Sequence, residues 1–251
     1  MRIHNEEKPS VAAKCVLRSV GWIMGLWSFS ACHGPMDTTD NMNNAMPART
    51  LSIPIDGDPN GLWWDAHSQA LYVADDDGNQ ILKWTDAGGV TIAGTLPKAT
   101  GEGPGLGQPV LLADGSVVVP RFGYGTNGDV VILRADGSTQ SLSTLDRERR
   151  RIGLAIADDG TIYGAYYLRV GTMRTGAVAK LSLSGTETDV LTGLKKTVGV
   201  MVSNGHLYVS DQELGQIIKA PLSDPQQKSI FATLETPDLL CAGPRGSIFT
   251  G

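Results

Sequence analysis

Two stretches combine arginine, aromatic side chains and glycine in a way that suits ligand binding. They read Arg121-Phe-Gly-Tyr-Gly-Thr-Asn-Gly128 and Tyr166-Tyr-Leu-Arg-Val-Gly-Thr-Met-Arg-Thr-Gly176. Each contains a Gly-Thr step and leads back into an apolar run after a glycine. Arginine forks bind carboxylates and phosphates, and aromatics carried on loops supply apolar contact area. Arg121, Tyr124, Tyr166 and Arg169 are therefore candidate ligand-binding residues, and the arginines favour an anionic group. The competing structural role is packing: Phe122 and Tyr167 would then wedge between sheets.

Other constellations point away from familiar chemistry. His4, His33, His67 and His206 do not accompany a Gly-x-Ser-x-Gly nucleophile elbow, so Ser/His catalysis has no motif behind it. Ala99–Pro109 is glycine-rich but lacks the Gly-Lys-Ser/Thr ending of a phosphate loop. Asp75-Asp-Asp-Gly-Asn79 lacks the later Glu of an EF-hand and reads as a hairpin turn. Cys241 lies in an apolar run and reads as a small buried hydrophobe. Arg147-Glu-Arg-Arg-Arg151 reads as a solvated connection, as isolated charge runs usually do.

The chain has 251 residues, 31 glycines, 13 prolines and a formal charge of −5. Glycine is about 12% of the chain against a usual ~7%. Many tight turns joining short strands follow from that. A coiled coil or a disordered chain is excluded. The acidic balance argues against nucleic acid as a partner, since such proteins carry a basic face.

The first 32 residues read as a signal. Arg2, Lys8, Lys14 and Arg18 precede an apolar run, Val20–Ala31, too short to span a bilayer. It ends Phe29-Ser-Ala-Cys32, which resembles a bacterial lipobox, with Phe29 where Leu, Val or Ile is usual. Cys32 is the predicted lipid attachment point, and the chain is expected at the bacterial cell envelope, on the periplasmic side or in the outer membrane. The alternative is a secreted protein cut near the same place. Residues 33–49 have no apolar period and read as a flexible tether. Beyond Cys32 the chain has 17 basic and 24 acidic residues, a formal charge of −7. Such a domain does not cling to anionic lipid, so membrane attachment is expected only through Cys32. No disulfide framework is expected, and the domain reads as a monomer.

Residues 50–251 contain an internal repeat. A short apolar segment, a turn and a second strand recur five times. The equivalent residues are Tyr72, Val118, Tyr163, Tyr208 and Phe249, spaced 46, 45, 45 and 41 apart. Asp114-Gly115, Asp159-Gly160 and Asn204-Gly205 supply hairpin turns. Third strands follow at 80–84, 129–133, 177–181 and 216–220, and fourth strands at 90–93, 139–143, 187–191 and 228–232. A period in the forties with four strands per unit predicts an all-β fold, a β-propeller of four-stranded blades. About four and a half blades are present, so the C-terminus looks incomplete. Arg49–Asp56 is expected to close the last blade as an outer strand. In this arrangement Asn60, Gln108, Ile152, Val198 and Asp238 would each precede the inner strand of a blade and ring the tunnel mouth.

The repeats resemble the NHL-repeat and senescence-marker-protein/gluconolactonase-like six-bladed propellers. The residues that carry the likeness are Pro59-Asn-Gly-Leu62, Leu71-Tyr-Val-Ala-Asp75 and Leu207-Tyr-Val-Ser-Asp211. The resemblance implies a divalent metal such as Ca²⁺ over the tunnel, held by Glu, two Asn and Asp, which would activate water or polarise a lactone carbonyl. Asn60, Ile152, Val198 and Asp238 stand at those positions. Asp238 and Asn60 are thus the only metal-ligand candidates.

Fold alone does not decide function. The expected function is binding of a small molecule or envelope protein through tunnel-mouth loops, with Asn60, Gln108, Arg121, Tyr124, Tyr166, Arg169 and Asp238 as candidate contacts. The alternative is a metal-dependent lactonase or esterase-like hydrolase.

Overall fold

The computed structural model describes residues 52–99, 105–123, 127–243 and 247–251. The signal, the lipobox-like Cys32 and the tether all lie outside them. Every regular element among the described residues is a β-strand.

Four blades are complete. Blade I comprises β1 (Pro59–Asp65), β2 (Ala70–Asp75), β3 (Gln80–Thr85) and β4 (Gly89–Thr95). Blade II comprises β5 (Val110–Leu111), β6 (Val117–Arg121), β7 (Asp129–Leu133) and β8 (Thr139–Ser141). Blade III comprises β9 (Arg150–Ile156), β10 (Ile162–Val170), β11 (Met173–Leu181) and β12 (Glu187–Leu194). Blade IV comprises β13 (Thr197–Ser203), β14 (His206–Asp211), β15 (Gln216–Pro221) and β16 (Ser229–Thr233). Each is an antiparallel sheet in sequence order. A two-stranded sheet, β17 (Leu240–Ala242) and β18 (Ile248–Thr250), follows as blade V. The four-stranded repeat predicted from the spacing is therefore present, with blades in a propeller ring.

Local chemistry explains the turns. Asn204 and Gly205 both take positive φ, 49° and 72°. That left-handed pair matches the twist of the strands it joins, and Asn and Gly adopt it at least cost. The core lies between blades. Tyr72, Ala74 and Ile81 meet Val117, Val119 and Val131. Val118, Val130 and Ile132 meet Leu154, Ile162 and Leu181. Ala155, Tyr163 and Val178 meet Val200, Leu207 and Val209. Met201, Tyr208 and Ile217 meet Leu240. A blade has two apolar faces, so neighbours on both sides bury them.

Two expectations change. Residues 52–58 form no strand, so among the described residues Arg49–Asp56 does not close a blade. Instead the backbone N–H of Asp58 donates to Asp75 at 3.0 Å. The stretch Tyr166–Gly176 is a strand hairpin, not a loop: β10 and β11 pair without a break from Ile162↔Leu181 to Val170↔Met173. The hairpin tip leaves Val170 and Met173 more than two-thirds exposed.

Candidate functional site at the tunnel mouth

Inner strands can approach the axis only where side chains are small. Gly61, Gly107, Gly153 and Gly199 recur every 46 residues, one per blade. A Cβ at Gly153 would lie 2.8 Å from the Val198 carbonyl oxygen, and one at Gly199 would lie 2.7 Å from that of Asp238. At Gly61 and Gly107 the clash with the Gly107 and Ile152 carbonyls is closer still. Blades II and III go further and share backbone hydrogen bonds. Gln108 N–H donates to Ile152 at 2.8 Å, and Leu154 N–H donates to Gln108 at 3.1 Å.

Strand pairing sets the register of the mouth and corrects one predicted position. In blades I, III and IV the residue before the glycine is Asn60, Ile152 or Val198. Gly199 faces Asp238–Leu240, so Asp238 completes the set in blade V. Strand pairing shifts blade II by one: Pro59 pairs with Asp75 and Trp63 with Tyr72, whereas their equivalents Leu106 and Val110 pair with Arg121 and Val118. Leu106 therefore matches Pro59 and Gln108 matches Gly61, so Gln108 stands one residue past the blade II mouth position. Gly107 occupies that position, and Leu106 before it is fully buried in the blade I–II core.

Asn60 is exposed at a bulge, between the paired residues Pro59 and Gly61. Asp238 is partly buried, and its N–H donates to Thr250 Oγ1 at 2.9 Å. Burial pushes the Asp238 carboxyl above its usual range, against the Leu239 N–H and the Lys196 charge. A raised carboxyl binds its proton more tightly in the folded state. Its contribution to stability is complete below about pH 3.8 and is lost as pH rises through the raised value. Asp238→Asn is accordingly expected to raise the melting temperature near neutral pH and to lose that gain in acid. Paired thermal melts of the two proteins across pH check this.

A hard divalent cation needs six to eight oxygen donors. Gly107 has no side chain, and those of Ile152 and Val198 carry none. Asn60 and Asp238 supply one amide and one carboxylate. Among the described residues, no group of three or more His, Cys, Asp or Glu is placed to hold a metal. These residues do not fit the metal that the family resemblance implies.

The arginine and tyrosine candidates face elsewhere. Arg121 is 4% exposed. Its Nη2 donates to Asn79 Oδ1 at 2.7 Å and to the Pro97 carbonyl at 2.5 Å, clamping blade II to blade I. Burial lowers its basicity, opposed by Asp129 and Asp76. Tyr166 is buried, its hydroxyl donating to Asp189 Oδ2 at 2.8 Å. Burial, then that carboxylate, drives its hydroxyl pKa upward. Both residues occupy the strand-end position filled by Asp75 and Asp211 in blades I and IV. Asp211 accepts from the N–H groups of Lys195, Lys196 and Leu214 at 2.7, 3.1 and 3.2 Å. All four residues bind parts of the fold rather than pointing freely at a ligand. Arg169 is exposed on the β10–β11 hairpin, with its Nε donating to Gly171 at 3.0 Å. Tyr124 lies outside the described residues.

The Arg147–Arg151 run also departs from expectation. Arg151 is buried, with Nη2 2.6 Å from Glu187 Oε1. Arg149 Nη1 reaches Asp189 Oδ1 at 2.7 Å, and its guanidinium lies 4.1 Å from the centre of the Tyr166 ring. This is an ion cluster that seats the II–III connection on blade III. Cys241 is exposed rather than buried.

No protein-family model matches the chain, and no curated protein matches it. Solved structures do. A gluconolactonase from Xanthomonas campestris aligns at 18% identity and a TM-score of 0.61, covering 76% of this chain and 68% of that one. A luciferin-regenerating enzyme aligns at 16% identity and 0.60, with coverage of 76% and 68%. A chain of the nidogen/laminin complex aligns at 14% and 0.61, with coverage of 77% and 72%. At such identities the likeness speaks for the fold alone. The chain is a β-propeller, sharing its fold with gluconolactonase-like and NHL-type propellers.

Proposed function

We propose that the chain is an exported, lipid-anchored binding propeller whose tunnel mouth, at Asn60 and Asp238, takes a small polar molecule or an envelope protein. The observation that carries this is the lack of side-chain donors at three mouth positions, Gly107, Ile152 and Val198. They remove the donors a hydrolytic metal needs and leave an acceptor pair on a rigid scaffold. Attachment through Cys32 would hold that mouth at the envelope.

A second reading is a metal-dependent lactonase or esterase-like hydrolase. The gluconolactonase and the luciferin-regenerating enzyme among the structural neighbours favour it. Incubating the full chain with gluconolactone and added Ca²⁺ or Zn²⁺ separates the two. The binding reading expects hydrolysis no faster than in buffer and no metal retained after dialysis. Metal-dependent turnover that disappears in Asp238→Ala would establish the hydrolase instead.

A further inference from the structure

At one level of the inner strands the blades carry Gly61, Gln108, Gly153, Gly199 and Leu239. Four lack a polar side chain and one is a carboxamide. Gln108 is 9% exposed. Its backbone is tied to blade III by the two hydrogen bonds at Ile152 and Leu154. Its side chain leaves blade II altogether: Nε2 donates to the Leu240 carbonyl of β17 at 3.3 Å, 132 residues further along the chain. The other amide atom, Oε1, has no hydrogen-bond partner among the described residues. Leaving that buried acceptor unused is unfavourable, so packing alone does not account for a glutamine at this level.

We propose that Gln108 is a cross-tunnel strut. It anchors the inner strand of blade V to blades II and III. A metal ligated from several blades would tie their inner strands together; here a side chain makes that tie, in a propeller whose mouth lacks the donors for a metal. Among the described residues, blade V also packs on blade IV, with Leu240, Ala242 and Ile248 against Met201, Tyr208 and Ile217. The strut is independent of that packing, so its removal should act on blade V in particular.

Hydrogen exchange read by mass spectrometry on the full chain tests this, with Gln108→Met and Gln108→Glu beside the parent. Methionine keeps the volume without a hydrogen bond. An ionised glutamate cannot donate to a carbonyl. In both variants the amides of 240–242 and 248–250 are expected to exchange faster, by roughly fivefold or more, the scale of one lost hydrogen bond. Protection in β2, β10 and β14 is expected to stay as in the parent. Adding CaCl₂ is expected to leave the parent's exchange and melting temperature unchanged. Unchanged exchange in blade V, or equal acceleration in every blade, would overturn the strut. A Ca²⁺-dependent gain of protection in the parent's blade V would overturn the substitution for metal.

Discussion

Replacing Gly107 with alanine is expected to prevent folding or to cost more than about 4 kcal/mol, the range reached only by severe core disruption. The added Cβ would lie far inside van der Waals contact of the Ile152 carbonyl oxygen, with the Ile152 Cα only 3.0 Å away. Both are backbone atoms of the neighbouring blade, so no side chain can swing aside. Blades II and III would have to separate, breaking the hydrogen bonds that Gln108 makes with Ile152 and Leu154. Overpacking at sites with some give costs about 1–3 kcal/mol; this site has none. Gly160→Ala is the matched control. It has open space around its Cβ but a φ of +82°, so it is expected to cost only about 1–2 kcal/mol from left-handed strain. Urea denaturation of the three proteins gives the order directly. Equal losses at the two glycines would mean that inter-blade closeness is not what Gly107 serves.

The second large effect is expected at Asp211. Its carboxylate is fully buried and takes three backbone N–H groups from the segment leading into β13 and from the turn after β14. Asp211→Ala would leave three donors without their acceptor, at about 1–3 kcal/mol for each that stays buried. Some will find water, so a total loss of about 4 kcal/mol is expected. Asp211→Asn keeps one oxygen and turns an NH₂ toward amides that need an acceptor, so about half the loss should remain. Asp75→Ala in blade I should cost less, because Asp75 accepts one backbone N–H, from Asp58, and the side chain of Gln80. Denaturant melts rank the three variants. Faster hydrogen exchange at Lys195 and Lys196 in Asp211→Ala would locate the damage. A loss at Asp211 no larger than at Asp75 would show that the loop amides are satisfied in some other way.

These two sites mark the difference between what a repeat announces and what it hides. Strand positions were legible because their causes are local. Asp-Gly and Asn-Gly turns set the hairpins, and third and fourth strands fell within a few residues of their predicted places. The glycine row at 61, 107, 153 and 199 was equally legible from its constant spacing. It conceals a shift of one residue in blade II, where strand pairing sets Gly107 at the mouth and Gln108 level with Gly61. Arg121 and Tyr166 are repeat equivalents of Asp75 and Asp211, and that alignment would have pointed to structural roles.

By itself, the chain's sequence determined the all-β repeat, the hairpin turns and the scarcity of metal donors, since each follows from residue type and short-range spacing. Tertiary structure alone decided where the polar side chains point. The partners of Arg121, Arg151, Tyr166 and Gln108 lie 42, 36, 23 and 132 residues away. No local rule contains such distances. Only the closing of blade on blade brings those donors to their acceptors, because a buried charge or amide must find whatever partner the packing puts beside it.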